Sequence, residues 1–200
     1  SRNKILRVLR RNRVDYEEMS DSELVEFVAK EINKNKIIGW FTGKMEFVPR
    51  ALGHRSILAN ACHKEMKDLL NEKVKHREWF RPYGVLIPED EVTHYFKEDL
   101  KNPFMLMVAN AKDEKKELIT AALHDDGSSR VQTITKQEHG LIFEIVKKFE
   151  ELSGVPIVIN TSFNDSGEPI VCSPDDAYQS FMRTGLDWLV MDNFVIKKKT

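Results

Sequence analysis

Five cations, Arg50, Arg55, Lys75, Arg77 and Arg81, fall within 32 residues. They occupy two dense stretches, Glu46-Phe-Val-Pro-Arg-Ala-Leu-Gly-His-Arg-Ser56 and Lys75-His-Arg-Glu-Trp-Phe-Arg-Pro82. If the chain is extended beyond Val74, positions 75, 77 and 81 project from one face, because side chains of an extended segment repeat every two residues. Like charges about 4 Å apart repel by roughly 4 kcal/mol at an effective dielectric of about 20. Such a cluster is best kept together by an anion, and guanidinium forks fit phosphate oxygens bidentately. The competing reading pairs these cations with Glu46, Glu72 and Glu78 on a solvated surface.

Two polar groups could complete such a site. Asn160-Thr-Ser-Phe-Asn164 follows the apolar run Val155-Pro-Ile-Val-Ile159. Continued extension would put Asn160, Ser162 and Asn164 on one face at the end of a buried strand, where α/β sheets bind ligands. A self-capping polar turn is the plainer alternative. His124-Asp-Asp-Gly-Ser-Ser-Arg-Val-Gln132 places Arg130 and Gln132 two apart on one strand face after an Asp126-Gly127 turn, and an ordinary exposed hairpin would look the same.

Absences narrow the chemistry. There is no phosphate-loop or dinucleotide-binding glycine motif, no His-Glu-x-x-His, no Cys-x-x-Cys and no Gly-x-Ser-x-Gly. The six histidines offer no i, i+3 or i, i+4 pair, so no helix-borne metal site is expected. Cys62 and His63 are neighbours, and adjacent helical residues diverge by about 100°, too far to act as nucleophile and base. Cys62 and Cys172 are expected as buried thiols in a reducing compartment. No apolar run approaches the roughly 18 residues of a membrane span, which points to a cytoplasmic location. Net charge is −1, yet residues 1–81 hold 18 Lys and Arg against 12 Asp and Glu, and the remainder 13 against 20. The basic half is where an anion would bind.

The elements that must position these groups alternate. Ser20-Asp-Ser-Glu23 is a capping box ahead of a helix over 21–34, marked by Leu24, Val28 and Ile32. A strand over 37–41, a helix over 63–75 and strands at 85–87, 104–108, 118–122 and 131–134 follow. A helix over 138–152 stops at Gly154 and Pro156, and 155–159 is a buried strand. Ser173-Pro174 opens another helix, and strands at 188–191 and 194–196 end the chain. The arginine-rich start is undecided between helix and frayed end. Together these predict an α/β domain, a mixed twisted sheet flanked by helices.

Taken in order, Gly43-Lys-Met-Glu-Phe-Val-Pro-Arg-Ala-Leu-Gly-His-Arg-Ser-Ile57, Met66 to Pro82, His124 to Thr133 and Asn160 to Val171 resemble the C-terminal, YrdC-like domain of the O-carbamoyltransferases of the nodulation and antibiotic-tailoring type. The resemblance runs from about 22 to 197. It implies a YrdC-like fold over 21–200, with 1–20 an extension from a preceding domain. It also implies use of ATP with Mg²⁺, and of carbamoyl phosphate as co-substrate, to form a carbamoyl-adenylate. A separate N-terminal, Kae1-like, metal-dependent domain would then pass the carbamoyl group to an acceptor hydroxyl. By position, Arg50, Lys75 and Arg81 would be the catalytic clamps, with Arg55, Arg77, Arg130, Gln132, Asn160, Ser162 and Asn164 binding substrate. Val48 stands where the family has Gly, His54 where it has Asn, and Arg81-Pro-Tyr-Gly84 replaces its usual continuation. Beyond small molecules and that domain, a homo-oligomer is the remaining partner expectation. A basic-patch RNA-binding or partner module is the rival reading, disfavoured by the chain's acidity and by the scarcity of exposed-looking aromatics between the arginines.

Overall fold

A computed structural model describes residues 1–46 and 50–198. Its strands are β1 (Glu17–Glu18), β2 (Ile38–Phe41), β3 (Arg55–Asn60), β4 (Gly84–Pro88), β5 (Val108–Asn110), β6 (Ser128–Ile134), β7 (Val158–Ser162), β8 (Trp188–Met191) and β9 (Phe194–Lys197). They form one mixed sheet in the order β1-β9-β8-β2-β3-β7-β4-β6-β5. The helices are α1 (Arg2–Arg11), α2 (Asp21–Asn33), α3 (Met66–Lys73), α4 (Val92–Tyr95), α5 (Lys136–Ser153) and α6 (Pro174–Arg183). None is long and apolar enough to cross a membrane.

Alternation along the central strands sorts the core into two layers. Leu86 and Val158 face α2 and α5, which supply Leu24, Val28, Ile142 and Phe149. Val85, Ile87, Ile157 and Ile159 face the other way, against Leu9 of α1, Leu70 of α3 and Phe181 of α6. The helix starts follow from their caps. Ser20 and Ser173 each form a reciprocal capping box, and the Thr135 hydroxyl accepts the Glu138 N–H. Gly154, at φ 77°, ends α5 in the left-handed conformation that glycine takes without strain. Residues 1–20 are part of this body, since β1 pairs with β9 and α1 buries Ile5, Val8 and Leu9.

Outside the site, the structure corrects four sequence expectations. Residues 118–122 are not a strand but the end of a stretch of 3₁₀ turns, Asp113–Ala122. The Leu123 N–H reaches back to the Thr120 carbonyl at 3.4 Å, the three-residue closure of a 3₁₀ turn. Residues 104–107 are irregular. The Asn102 side chain takes their backbone groups, donating to the Met107 carbonyl at 3.2 Å and accepting the Leu106 N–H at 3.0 Å. The strand expected over 155–159 pairs instead over 158–162, because Pro156 has no N–H for the ladder. Finally, Cys172 is exposed rather than buried, whereas Cys62 is partly buried, and burial pushes its thiol up to about 11.

Candidate active site

Register sets the floor of the site. Gly84 lies opposite Arg130 on β6 and opposite Asn160 on β7, so the three form a row across adjacent strands and share a sheet face. Gly84 leaves the middle of that row without a side chain, and Met105 fills it. A β-carbon built on Gly84 would stand 2.5 Å from the Met105 sulfur. Gln132, two residues along β6, accepts from Asn160 Nδ2 at 2.8 Å and donates to the Leu52 carbonyl at 2.9 Å. Asn160 Nδ2 also donates to the Ala51 carbonyl at 3.0 Å. These bonds seat residues 50–52 over the floor, and Glu46 braces the same segment by accepting the N–H groups of Leu52 and His54 at 2.9 and 2.7 Å.

Above this floor is a cavity of about 230 Å³, lined by Arg50, Arg77, Arg81, Arg130, Asn160 and Ser162, among others. Arg81 pairs with Glu78 at 3.4 Å. Among the described residues, Arg50, Arg77 and Arg130 have no carboxylate within ion-pair distance. Burial, then the charges of Arg50 and Arg77, push the Arg130 guanidinium down to about 10. Its Nε and the Oδ1 of Asn160 are buried without hydrogen-bond partners. A concave spot with uncompensated cations, an unused buried donor and an unused buried acceptor is built to receive a polar anion.

The other expected residues lie around this cavity rather than in it. The segment 75–81 is not extended: it is turned and irregular, with His76 at φ 43° and its ring on Asp165 at 2.9 Å. Lys75 therefore points inward instead of sharing a face with Arg77 and Arg81. Its Nζ, 3% exposed as a residue, donates to the Ser162 and Asn164 carbonyls at 2.6 and 2.9 Å and to Asn164 Oδ1 at 2.8 Å. Burial, then the Arg77 charge, push it down to about 7. Asn164 faces Lys75 and donates to the Glu168 carbonyl at 2.6 Å. Arg55 is turned away. It donates to the Thr42, His54 and Gly43 carbonyls at 2.6, 3.0 and 3.2 Å, with its guanidinium 3.6 Å from the Phe41 ring centre. It thereby closes the connection between β2 and β3. His54 is exposed, and Val48 lies outside the described residues.

Gly84 and Met105 escape a motif-based reading, since one contributes only space and the other comes from an irregular loop. The glycine opening an apolar run directly after Arg81-Pro-Tyr is the one signal for it.

A family model described as "Carbamoyltransferase C-terminus" matches residues 29–198. The nodulation protein NolNO of Sinorhizobium fredii is 41% identical over 86% of this chain and 26% of its own length. Among solved structures, full-length HypF in a phosphate- and nucleotide-bound form covers 86% of this chain and 25% of its own, with a TM-score of 0.56 at 21% identity. Sua5 of P. abyssi complexed with L-threonine covers 88% and 48%, with a TM-score of 0.56 at 17% identity. These two likenesses establish the YrdC-like fold. The chain spans between 23% and 38% of the length of curated relatives such as NolNO.

Proposed function

The chain belongs to the carbamoyltransferase C-terminus family, and from that premise we propose that its arginine-lined cavity binds ATP and forms a carbamoyl-adenylate. Carbamoyl phosphate, with one water, would release inorganic phosphate and leave carbamate. A carbamate oxygen then attacks the α-phosphorus of ATP, and pyrophosphate departs with the bond's electron pair. This chemistry needs no covalent nucleophile from the protein. It needs charge stabilisation on the triphosphate and placement of the carbamate in line with the leaving group.

The single observation behind this reading is the arginine group itself, four guanidinium side chains around one cavity, three without an acidic partner among the described residues. Arg50, Arg77 and Arg130 would hold the phosphates, with Arg81 exchanging Glu78 for the ligand. Asn160 Oδ1, the one buried acceptor left unpaired among these donors, suits the NH₂ of a carbamoyl group. Mg²⁺, which offsets phosphate charge, would arrive on the nucleotide. Among the described residues no group of three or more His, Cys, Asp or Glu side chains is arranged to hold a metal ion. Transfer to an acceptor hydroxyl would fall to the larger part of the full-length relatives, which this chain does not span.

The test is pyrophosphate release from ATP that depends on carbamoyl phosphate, compared with Arg81→Ala. Loss of one charged hydrogen bond, about 1.5–3 kcal/mol, corresponds to roughly 10- to 100-fold in rate. Equal rates would remove Arg81 from the site, and no release by either protein would sink the adenylation reading.

A further inference from the structure

Arg77 and Arg81 reach the cavity from residues 74–83, a stretch with no helix or strand of its own. Something other than a backbone ladder must fix where their guanidinium groups stand. Asn71, in α3, is 2% exposed and spends its whole amide on that stretch. Its Nδ2 donates to the Trp79 and Arg81 carbonyls, both at 3.1 Å. Its Oδ1 accepts from Arg77 Nε at 2.9 Å and from the Tyr83 hydroxyl at 2.6 Å. Its backbone carbonyl takes the Arg77 N–H at 3.1 Å.

A primary amide has two donor protons and two acceptor positions, and all are in use. The partners leave one orientation, because two carbonyls can only accept and a guanidinium can only donate. Burial pushes the Tyr83 hydroxyl up to about 12, so it keeps the proton it donates. The Arg77 guanidinium lies 4.7 Å from the Tyr83 ring centre, held from a second direction.

We infer that Asn71 is a positioning residue for the phosphate site: it holds Arg77 through Nε and Arg81 through the backbone, so that the two arginines stand ready before ligand arrives. With Nε committed to Oδ1 and Nη2 donating to the Pro82 carbonyl at 3.4 Å, Arg77 lines the cavity with the donors that remain. Fixing two long side chains in advance removes an ordering cost from binding. The inference rests on the reading that the cavity takes nucleotide phosphates.

The test uses the intact chain and two measurements. In ¹⁵N NMR, Arg77 Nε–H exchanges with water markedly more slowly than Arg50 Nε–H, and Asn71→Ala abolishes the difference. Equal exchange in the unaltered protein would overturn the inference. In calorimetric titration with ATP, Asn71→Ala weakens binding roughly tenfold or more. In a background already carrying Arg77→Ala and Arg81→Ala, the same substitution changes affinity less than twofold. A full additional loss there would show that Asn71 acts only on general stability and would overturn the inference. Should Asn71→Ala not fold, Asn71→Asp takes its place, keeping the acceptor for Arg77 but not the donors to residues 79 and 81. Failure of the unaltered protein to bind ATP would refute the phosphate-site reading, and Arg77 Nε–H exchange would still decide the role of Asn71.

Discussion

The Nζ of Lys75 donates to Asn164 Oδ1 at 2.8 Å, tying together residues 89 positions apart in the chain. With the Ser162 and Asn164 carbonyls also on it, this ammonium knots the irregular segment after α3 to the end of β7. Its donors are used within the protein, so its contribution to the cavity is to hold the wall that carries Ser162.

Lys75→Met should therefore act first on stability. The substitution leaves the part-buried Ser162 and Asn164 carbonyls without their donor, a net loss of roughly 3 kcal/mol once the relieved cost of burying the charge is set against it. For a chain of this size that corresponds to about 10 °C in Tm. A Tm within 2 °C or so of the unaltered protein would refute the knot.

The same ammonium should leave a mark on the pH dependence of folding. Its folded pKa of about 7 lies below the ordinary 10.5, so between those values the unfolded chain carries a proton that the native chain lacks. Stability from this group thus rises with pH from about 7 towards 10.5 and sits at its minimum below 7, with a slope of at most about 1.4 kcal/mol per pH unit. The check is the difference in urea unfolding free energy between the unaltered protein and Lys75→Met from pH 6.5 to 9.5. A difference that does not vary with pH would contradict the shift.

Arg130→Gln should trade binding for stability. Arg130 is partly buried beside Arg50 and Arg77, and removing its charge relieves repulsion that no carboxylate offsets. After discounting for solvent screening, the gain is about 1 kcal/mol, or roughly 3 °C at low salt, and it shrinks as salt is added. ATP affinity should fall at least tenfold in the same variant. A variant both less stable and unimpaired in binding would contradict this account of the cluster.

Gly84→Ala tests the open middle of the floor. The new methyl group would meet the Met105 sulfur at 2.5 Å and the Arg130 carbonyl at 3.3 Å. The thioether is flexible and yields, so the stability cost stays near 1 kcal/mol. Because Met105 must swing into or out of the cavity, ATP affinity changes severalfold while Tm shifts by only a few degrees, measured by titration and thermal melting. Adding Met105→Ala should restore the affinity.

Much of this architecture is written locally. The capping boxes at Ser20 and Ser173, the apolar spacing of Leu24, Val28 and Ile32, and the run Trp188 to Met191 each define an element with no help from elsewhere. What escapes are features decided by distant partners. β3 looks like part of an arginine motif until β2 and β7 pair with it on either side. The 75–81 segment reads as extended because Pro82 disfavours helix at Arg81, yet Asn71 and Lys75 bend it through bonds that no periodicity reveals. Arg55 has the same residue type and neighbourhood as Arg50, and only the carbonyls it caps show that it closes a turn. The residues alone suggest a cation group containing Arg50, Arg77 and Arg81; only the resemblance adds Arg130 to it, and nothing local separates the wall residues Arg55 and Lys75 from the lining.

The strand order has a further consequence for biogenesis. The neighbouring strands β3-β7-β4-β6 interleave early and late portions of the polypeptide, so the floor cannot exist until β7 has left the ribosome and inserted between β3 and β4. A nascent or truncated chain ending before residue 158 holds nearly all the arginines but has nowhere to assemble them. Retention on immobilised ATP would then separate finished molecules from incomplete ones.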